Sequence, residues 1–313
     1  MKIHVDTDLG GDPDDVCALA MLLGLQRRGE VEIVGITTVA DAGGRRAGWV
    51  EHVLDLAPAA GTATAPRPPV VAGAATSMTT SKTPDSIDDD ASLWPATVQA
   101  KSARPGEALA LDLIARNIDD GATVVAIGML TNLALLEVAR PGTLANAASI
   151  VVMGGWLEPP HESLPQWGPE MDWNVQCDTT AARIVCERAT NDNLTMATLA
   201  ATLAAPLRRD DLPVIRATGP LGVLIAQQSE RVSLGTHHAD VPDDVVNFHY
   251  DPVACALAAG WDAATTRRRT ISPALDDDTG VLRFVDDPNG TPTNVLTDVD
   301  GDAFREFWLA TLP

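Results

Sequence analysis

The densest chemistry in this sequence lies near its start. Asp6-Thr7-Asp8-Leu9-Gly10-Gly11-Asp12-Pro13-Asp14-Asp15 puts five carboxylates into ten residues. Capping a helix accounts for one or two of them, because aspartate suits the positive end of the helix dipole. Packing all five together costs repulsion and raises some of their pKa values. A hard divalent cation removes that cost, since oxygen-rich clusters suit Ca2+ or Mg2+. Gly10 and Gly11 would let the backbone turn tightly around such an ion. An EF-hand loop needs a helix on each side and a bidentate Glu at its twelfth position. Here a strand-like Ile3-His4-Val5 comes first, and no Glu falls there. Far along the chain, Tyr250-Asp251-Pro252 opens the apolar stretch Val253 to Ala259. Alone, Asp251 reads as a helix N-cap followed by proline; beside the first loop it reads as a distant ligand.

These residues need a frame, and the apolar pattern supplies one. Strand-like runs fall at Ile3–Val5, Val31–Val39, Val70–Ala72, Thr123–Ile127, Ser149–Met153 and Leu194–Leu199. Helical runs fall between them at Val16–Leu25, Gly48–Leu56, Glu107–Ile118, Asn132–Ala139 and Thr180–Arg188. Strict alternation predicts an open, mostly parallel α/β sheet flanked by helices, Rossmann-like, whose ligands sit beyond the C-terminal strand ends. Short strands at Arg267–Ile271, Gly280–Val285 and Asn294–Leu296 and a closing helix at Phe304–Leu309 follow. Thr76–Pro95, Leu157–Met171 and Gly235–Val246 read as long loops of the kind that carry function. The whole of 1–313 reads as a single domain.

Composition narrows the partners. Lys+Arg is 22 against 43 for Asp+Glu, a net charge of −21 over 313 residues. The only lysines are Lys2, Lys82 and Lys101. Phosphate backbones and anionic lipid surfaces call for clustered basic residues, so neither nucleic acid nor a membrane is expected. No run of ~20 apolar residues is present. Cys17, Cys177, Cys186 and Cys255 are scattered without metal-type spacing, as reduced thiols of a cytoplasmic protein would be.

The acidic loop is similar to the Asp-x-Asp-x-Gly-x-Asp-x-Asp-Asp signature of the inosine-uridine-preferring type of nucleoside hydrolase. Later segments resemble that family in the same order. They are Ile36-Thr37-Thr38-Val39, Gly128-Met129-Leu130-Thr131-Asn132-Leu133-Ala134, Met153-Gly154-Gly155 with Asp172-Trp173-Asn174 and Asp178, and Tyr250-Asp251-Pro252-Val253-Ala254. The resemblance implies an N-ribohydrolase acting on a small nucleoside with one Ca2+ and assembling as a homodimer or homotetramer; four tryptophans near the predicted mouth, Trp94, Trp156, Trp167 and Trp173, lean the substrate toward a purine. It implies Asp8, Asp15 and Asp251 as carboxylate ligands and Thr131 as a backbone-carbonyl ligand. Asp8 would also be the general base. Asp12 or Asp14 would hold a ribose hydroxyl. Asn174 and Asp172 would bind the sugar, with Met153 and Asp41 at further substrate-binding positions.

The chemistry agrees with that implication. Breaking an N-glycosidic bond builds positive charge on ribose and negative charge on the base, and a metal can orient the sugar hydroxyls and a water. An ionised Asp8 can take the water proton and stabilise the cationic sugar. Inosine-uridine members place a His just before the last metal-binding Asp; here Tyr250 stands there, with His249 one residue earlier, so either is a candidate leaving-group acid. His237 and His238 lie in a loop able to close over the site. Trp94, Trp156, Trp167 and Trp173 fall in or beside the strand-end loops, where an indole stacks on a flat base or packs the core. Two other readings stand beside a nucleoside hydrolase. One is a hydrolase of a different riboside, such as nicotinamide riboside or a modified nucleoside. The other is a non-catalytic protein that binds ribosides or Ca2+.

Overall fold

β1 (Lys2–Thr7) is buried from Ile3 onward on both faces, which suits a central strand of a parallel sheet. It pairs in parallel with β2 (Glu32–Thr38) and with β4 (Thr123–Ala126). The computed structural model describes residues 1–57, 66–79, 90–100, 106–232, 234–236 and 238–313. Lys82, Lys101, His237 and half of the predicted 76–95 loop lie outside them.

The remaining strands are β3 (Val70–Ala72), β5 (Ser149–Met153), β6 (Leu194–Ala197), β7 (Pro206–Arg208), β8 (Val245–Phe248), β9 (Ala264–Leu275), β10 (Leu282–Asp286) and β11 (Thr291–Val299). Nine of them form one sheet in the order β10-β9-β11-β6-β5-β4-β1-β2-β3. From β3 through β6 to β11 the pairing is parallel; β9 and β10 add antiparallel strands at one edge. The chain order reverses between β1 and β4, and a doubly wound sheet opens its ligand crevice at that switch point. The predicted α/β class and its C-terminal strands are therefore present, β9 and β11 longer than the sequence pattern indicated.

β7 and β8, a separate antiparallel pair, and the helices Leu212–Ala217 and Pro220–Arg231 were not foreseen. The pair is only three and four residues long, too short for a periodicity to register. The helix Asp14–Arg27 is buried from Asp14 to Gln26. Such all-round burial marks a core helix. The closing helix Gly301–Thr311 crosses it where Gly24 leaves room: a Cβ there would lie 1.7 Å from the Thr311 carbonyl oxygen. The Trp308 indole N–H also donates to the Cys17 carbonyl at 3.1 Å. This packing makes the first turn of Asp14–Arg27, with its two carboxylates, a rigid platform. All four cysteines are buried and unbridged.

Candidate active site at the strand ends

Asp8 leaves the end of β1, and the acidic loop folds over the N-terminus of the helix it feeds. Asp12 Oδ1 accepts from the Asp14 amide at 3.1 Å, and Asp14 Oδ1 from the Asp15 amide at 3.1 Å. The Thr7 hydroxyl donates to Asp15. Oxygens of Asp12, Asp14 and Asp15 lie within 4.8 Å of one another, a group able to hold a metal ion. Asp251 comes from the far end of the chain: its amide donates to Asp14 Oδ2 at 3.4 Å. It occupies the first turn of Tyr250–Ala258, with His249 at the N-cap position and no side-chain cap. Capping thus explains neither Asp251 nor the paired Asp14 and Asp15, since the helix Asp14–Arg27 also lacks a side-chain cap.

Burial of these carboxylates is the main reason their pKa values rise. Asp8 is pushed up to about 6, with Arg46 opposing and Asp12 reinforcing the shift. Asp14 rises well above the usual range through burial, Asp12 and Asp251. Asp15 rises through burial and Asp8, and Asp251 through burial, Asp15 and Asp8. Without a cation, burial and mutual repulsion both favour the protonated forms of this group. An all-oxygen, multi-carboxylate set held on a rigid helix fits a hard divalent cation.

Arg46 is the basic group inside the cluster, and sequence reasoning missed it. Its Nη1 donates to the carbonyls of Asp8 and, at 3.1 Å, Leu9; its Nε donates to Ala40 at 3.1 Å. A 2.9 Å ion pair joins it to buried Asp90. A cation in the first turn of a helix, here Arg45–Leu56, opposes the dipole. The sequence pattern begins that helix only at Gly48, so the misfit becomes visible with the helix start at Arg45. Gly10 and Gly11 do not supply a left-handed turn. Gly10 instead admits the Trp49 ring and Arg46, which a Cβ would meet at 2.5 and 2.6 Å.

A cavity of about 440 Å³ opens above the carboxylates. Asp8, Asp12, Asp14, Asp15, Met153, Trp167, Trp173, Asn174, His238, Tyr250 and Asp251 line it, together with Arg46, Asp90, Ile127, Met171 and Asn247. Asn174 is anchored by its amide nitrogen to the carbonyls of Ile127 at 3.1 Å and Met153 at 3.2 Å. Trp167 donates to Asp240 at 2.9 Å, and its ring lies 5.4 Å from His238. Tyr250 has its pKa raised well above the phenol value by burial and by Asp14, Asp12 and Asp251, so its hydroxyl stays a donor.

Five predicted site residues lie off the cavity. His249 is buried with its ring 4.4 Å from Trp308 and 5.5 Å from Phe304, and burial lowers its pKa to about 3. It cannot reach a leaving group from there. Thr131 is fully buried at the start of Thr131–Ala139, its hydroxyl given to Asp178 at 2.6 Å. The β4 turn instead brings Ile127 to the cavity, a residue the rule of C-terminal strand ends could have found. Asp172 caps Trp173–Cys177 and accepts from the Gly155 amide at 2.6 Å. Asp41 accepts from the amides of Arg46 and Ala47, both at 3.0 Å.

Trp94 is the fifth. It stacks on Trp49 at 5.2 Å and donates to the Gly10 carbonyl at 3.1 Å. Trp94→Ala is therefore expected to cost about 3 kcal/mol of stability, the usual loss for a buried aromatic. Denaturant unfolding checks this; an unchanged midpoint would deny the packing role.

Residues 3–306 match the family described as inosine-uridine preferring nucleoside hydrolase. The chain belongs to that family. The pyrimidine-specific ribonucleoside hydrolase RihA of Salmonella newport is 30% identical over 147 residues. That stretch is 46% of this chain and 45% of the relative, so the match spans less than half of the curated relative's length. Among solved structures, a plant nucleoside hydrolase superposes with a TM-score of 0.78 at 18% identity, covering 99% of this chain and 98% of its own. A purine-preferring ribonucleoside hydrolase from Gardnerella vaginalis gives 0.78 at 20% identity, covering 100% and 98%. These two likenesses establish the fold.

Proposed function

We propose that the protein is a nucleoside N-ribohydrolase that cleaves ribonucleosides, purines preferentially, to free base and ribose with the aid of Ca2+. One observation carries the reading. The opening acidic loop and Asp251 meet, the Asp251 amide on Asp14, beneath a cavity walled by Trp167, Trp173 and Tyr250. Asp8, Asp15 and Asp251 would hold the cation; their all-oxygen set suits a hard divalent ion, which the family resemblance makes Ca2+. When bound, it supplies Lewis-acid orientation of sugar hydroxyls and an acidified water.

The chain's own residues do the rest. Asp8 accepts the water proton, and Asp8, Asp14 and Asp15 stabilise positive charge on the ribose. Asn174, locked between two carbonyls, presents its remaining amide oxygen to a hydroxyl. Tyr250 donates a hydrogen bond to the departing base, and the indoles of Trp167 and Trp173 stack on it. Two indoles suit the larger face of a purine.

Ribose release from inosine, adenosine, guanosine, uridine and cytidine, with and without chelator, tests this. Cation-dependent reducing sugar from at least one purine nucleoside is expected. Retained riboside binding without release would instead favour the non-catalytic reading, which the replacement of His by Tyr250 motivates. Trp167→Ala is expected to raise KM for purine nucleosides roughly tenfold, the equivalent of one stacking contact. An unchanged KM would assign Trp167 to packing.

A further inference from the structure

β8 is apolar except at one position: Val245, Val246 and Phe248 surround Asn247. Asn247 is 1% exposed, lines the cavity, and its Nδ2 has no hydrogen-bond partner among the described residues. Other buried amide nitrogens here are satisfied. Asn193 Nδ2 donates to the carbonyls of Leu144 and Ala147, both at 2.8 Å, and Asn132 Nδ2 to Asp6 at 2.7 Å. A buried donor left unpaired destabilises a fold unless something else meets it. Phe248, the next residue, lies 5.9 Å from the Trp167 ring and 5.7 Å from that of Tyr250. Asn247 thus sits on the strand whose next residue packs behind the Trp167 and Tyr250 rings, whereas the carboxylates gather at the helix ends of Asp14–Arg27 and Tyr250–Ala258.

We propose that Asn247 is a specificity-determining residue whose amide donates a hydrogen bond to an acceptor on the departing base. This rests on the riboside reading above. An acceptor is a ring nitrogen or carbonyl oxygen at the base edge that reaches β8. A site with a buried donor discriminates strongly against ligands that cannot use it, because the donor then stays unpaired.

The test compares wild type, Asn247→Leu and Asn247→Asp in the presence of Ca2+. It measures kcat/KM for inosine, adenosine, uridine and cytidine, and dissociation constants for the free bases and for D-ribose. Asn247→Leu is expected to weaken at least one base tenfold or more and to leave D-ribose within about threefold. Its melting temperature should equal or exceed that of wild type, since it removes an unpaired buried amide. Asn247→Asp, which keeps the shape and reverses the donor, should weaken the same base. Equal losses for base and ribose, or no loss in either variant, would overturn the assignment. A wild type that cleaves nothing yet shows the base-selective loss overturns the reaction and upholds the role of Asn247. A wild type that binds neither bases nor ribose overturns both.

Discussion

Asp8→Asn should lower ribose release by about a thousandfold or more, because one change removes both a candidate ligand and the proton acceptor. The substitution is nearly isosteric, and Asp8 sits among Asp12, Asp15 and Asp251, whose charges oppose its ionisation. Losing that charge relieves repulsion. In chelator the variant's melting temperature should therefore match or exceed wild type, which separates a catalytic defect from a folding one. A reducing-sugar assay at saturating nucleoside reads kcat. A kcat within tenfold of wild type would remove Asp8 from the reaction.

How far the sequence led can be argued from the same residues. The five aspartates of the first loop and Asp251 were legible because carboxylate density is unusual, and the sheet was legible because β and α runs alternate strictly. What failed was direction. Tyr250 and His249 are neighbours at a helix start, and neighbouring helical positions do not share a face. Tyr250 therefore meets the cavity, while His249 packs on Trp308. Trp94 and Trp167 both sit in loops, yet Trp94 stacks on Trp49, a partner that the sequence does not pair with it. Thr131 and Ile127 are four residues apart at one strand end, and only the turn geometry tells which of them reaches the cavity. Arg46 and Asp90 were missed together: each looks like an ordinary surface charge until the fold buries the pair against the acidic loop.

Stability should respond to a divalent cation and pH jointly. Asp8 is raised to about 6, and burial and mutual repulsion raise Asp14, Asp15 and Asp251 as well. The unfolded chain ionises the same groups near pH ~4. Above that pH the cation-free folded state holds more protons than the unfolded state, so these groups lower stability as pH rises from about 4 through 6 and beyond. His4 and His249 act oppositely: burial lowers each to about 3, so they cost stability below pH ~6.5 and cease to as pH rises. A single melting curve mixes the two effects, but the difference between Ca2+-loaded and chelated protein cancels His4 and His249, which do not line the cavity. Ca2+ must displace the protons to bind. Its stabilisation should therefore grow from pH 5 to 8, reaching about 2.7 kcal/mol at a hundredfold excess over Kd, on the order of 5 °C in melting temperature. Asp8→Asn should flatten the lower part of that rise, because its contribution titrates near pH 6. Differential scanning calorimetry at stepped pH measures both. A Ca2+ effect that stays constant from pH 5 to 8 would mean that the ion binds away from these carboxylates.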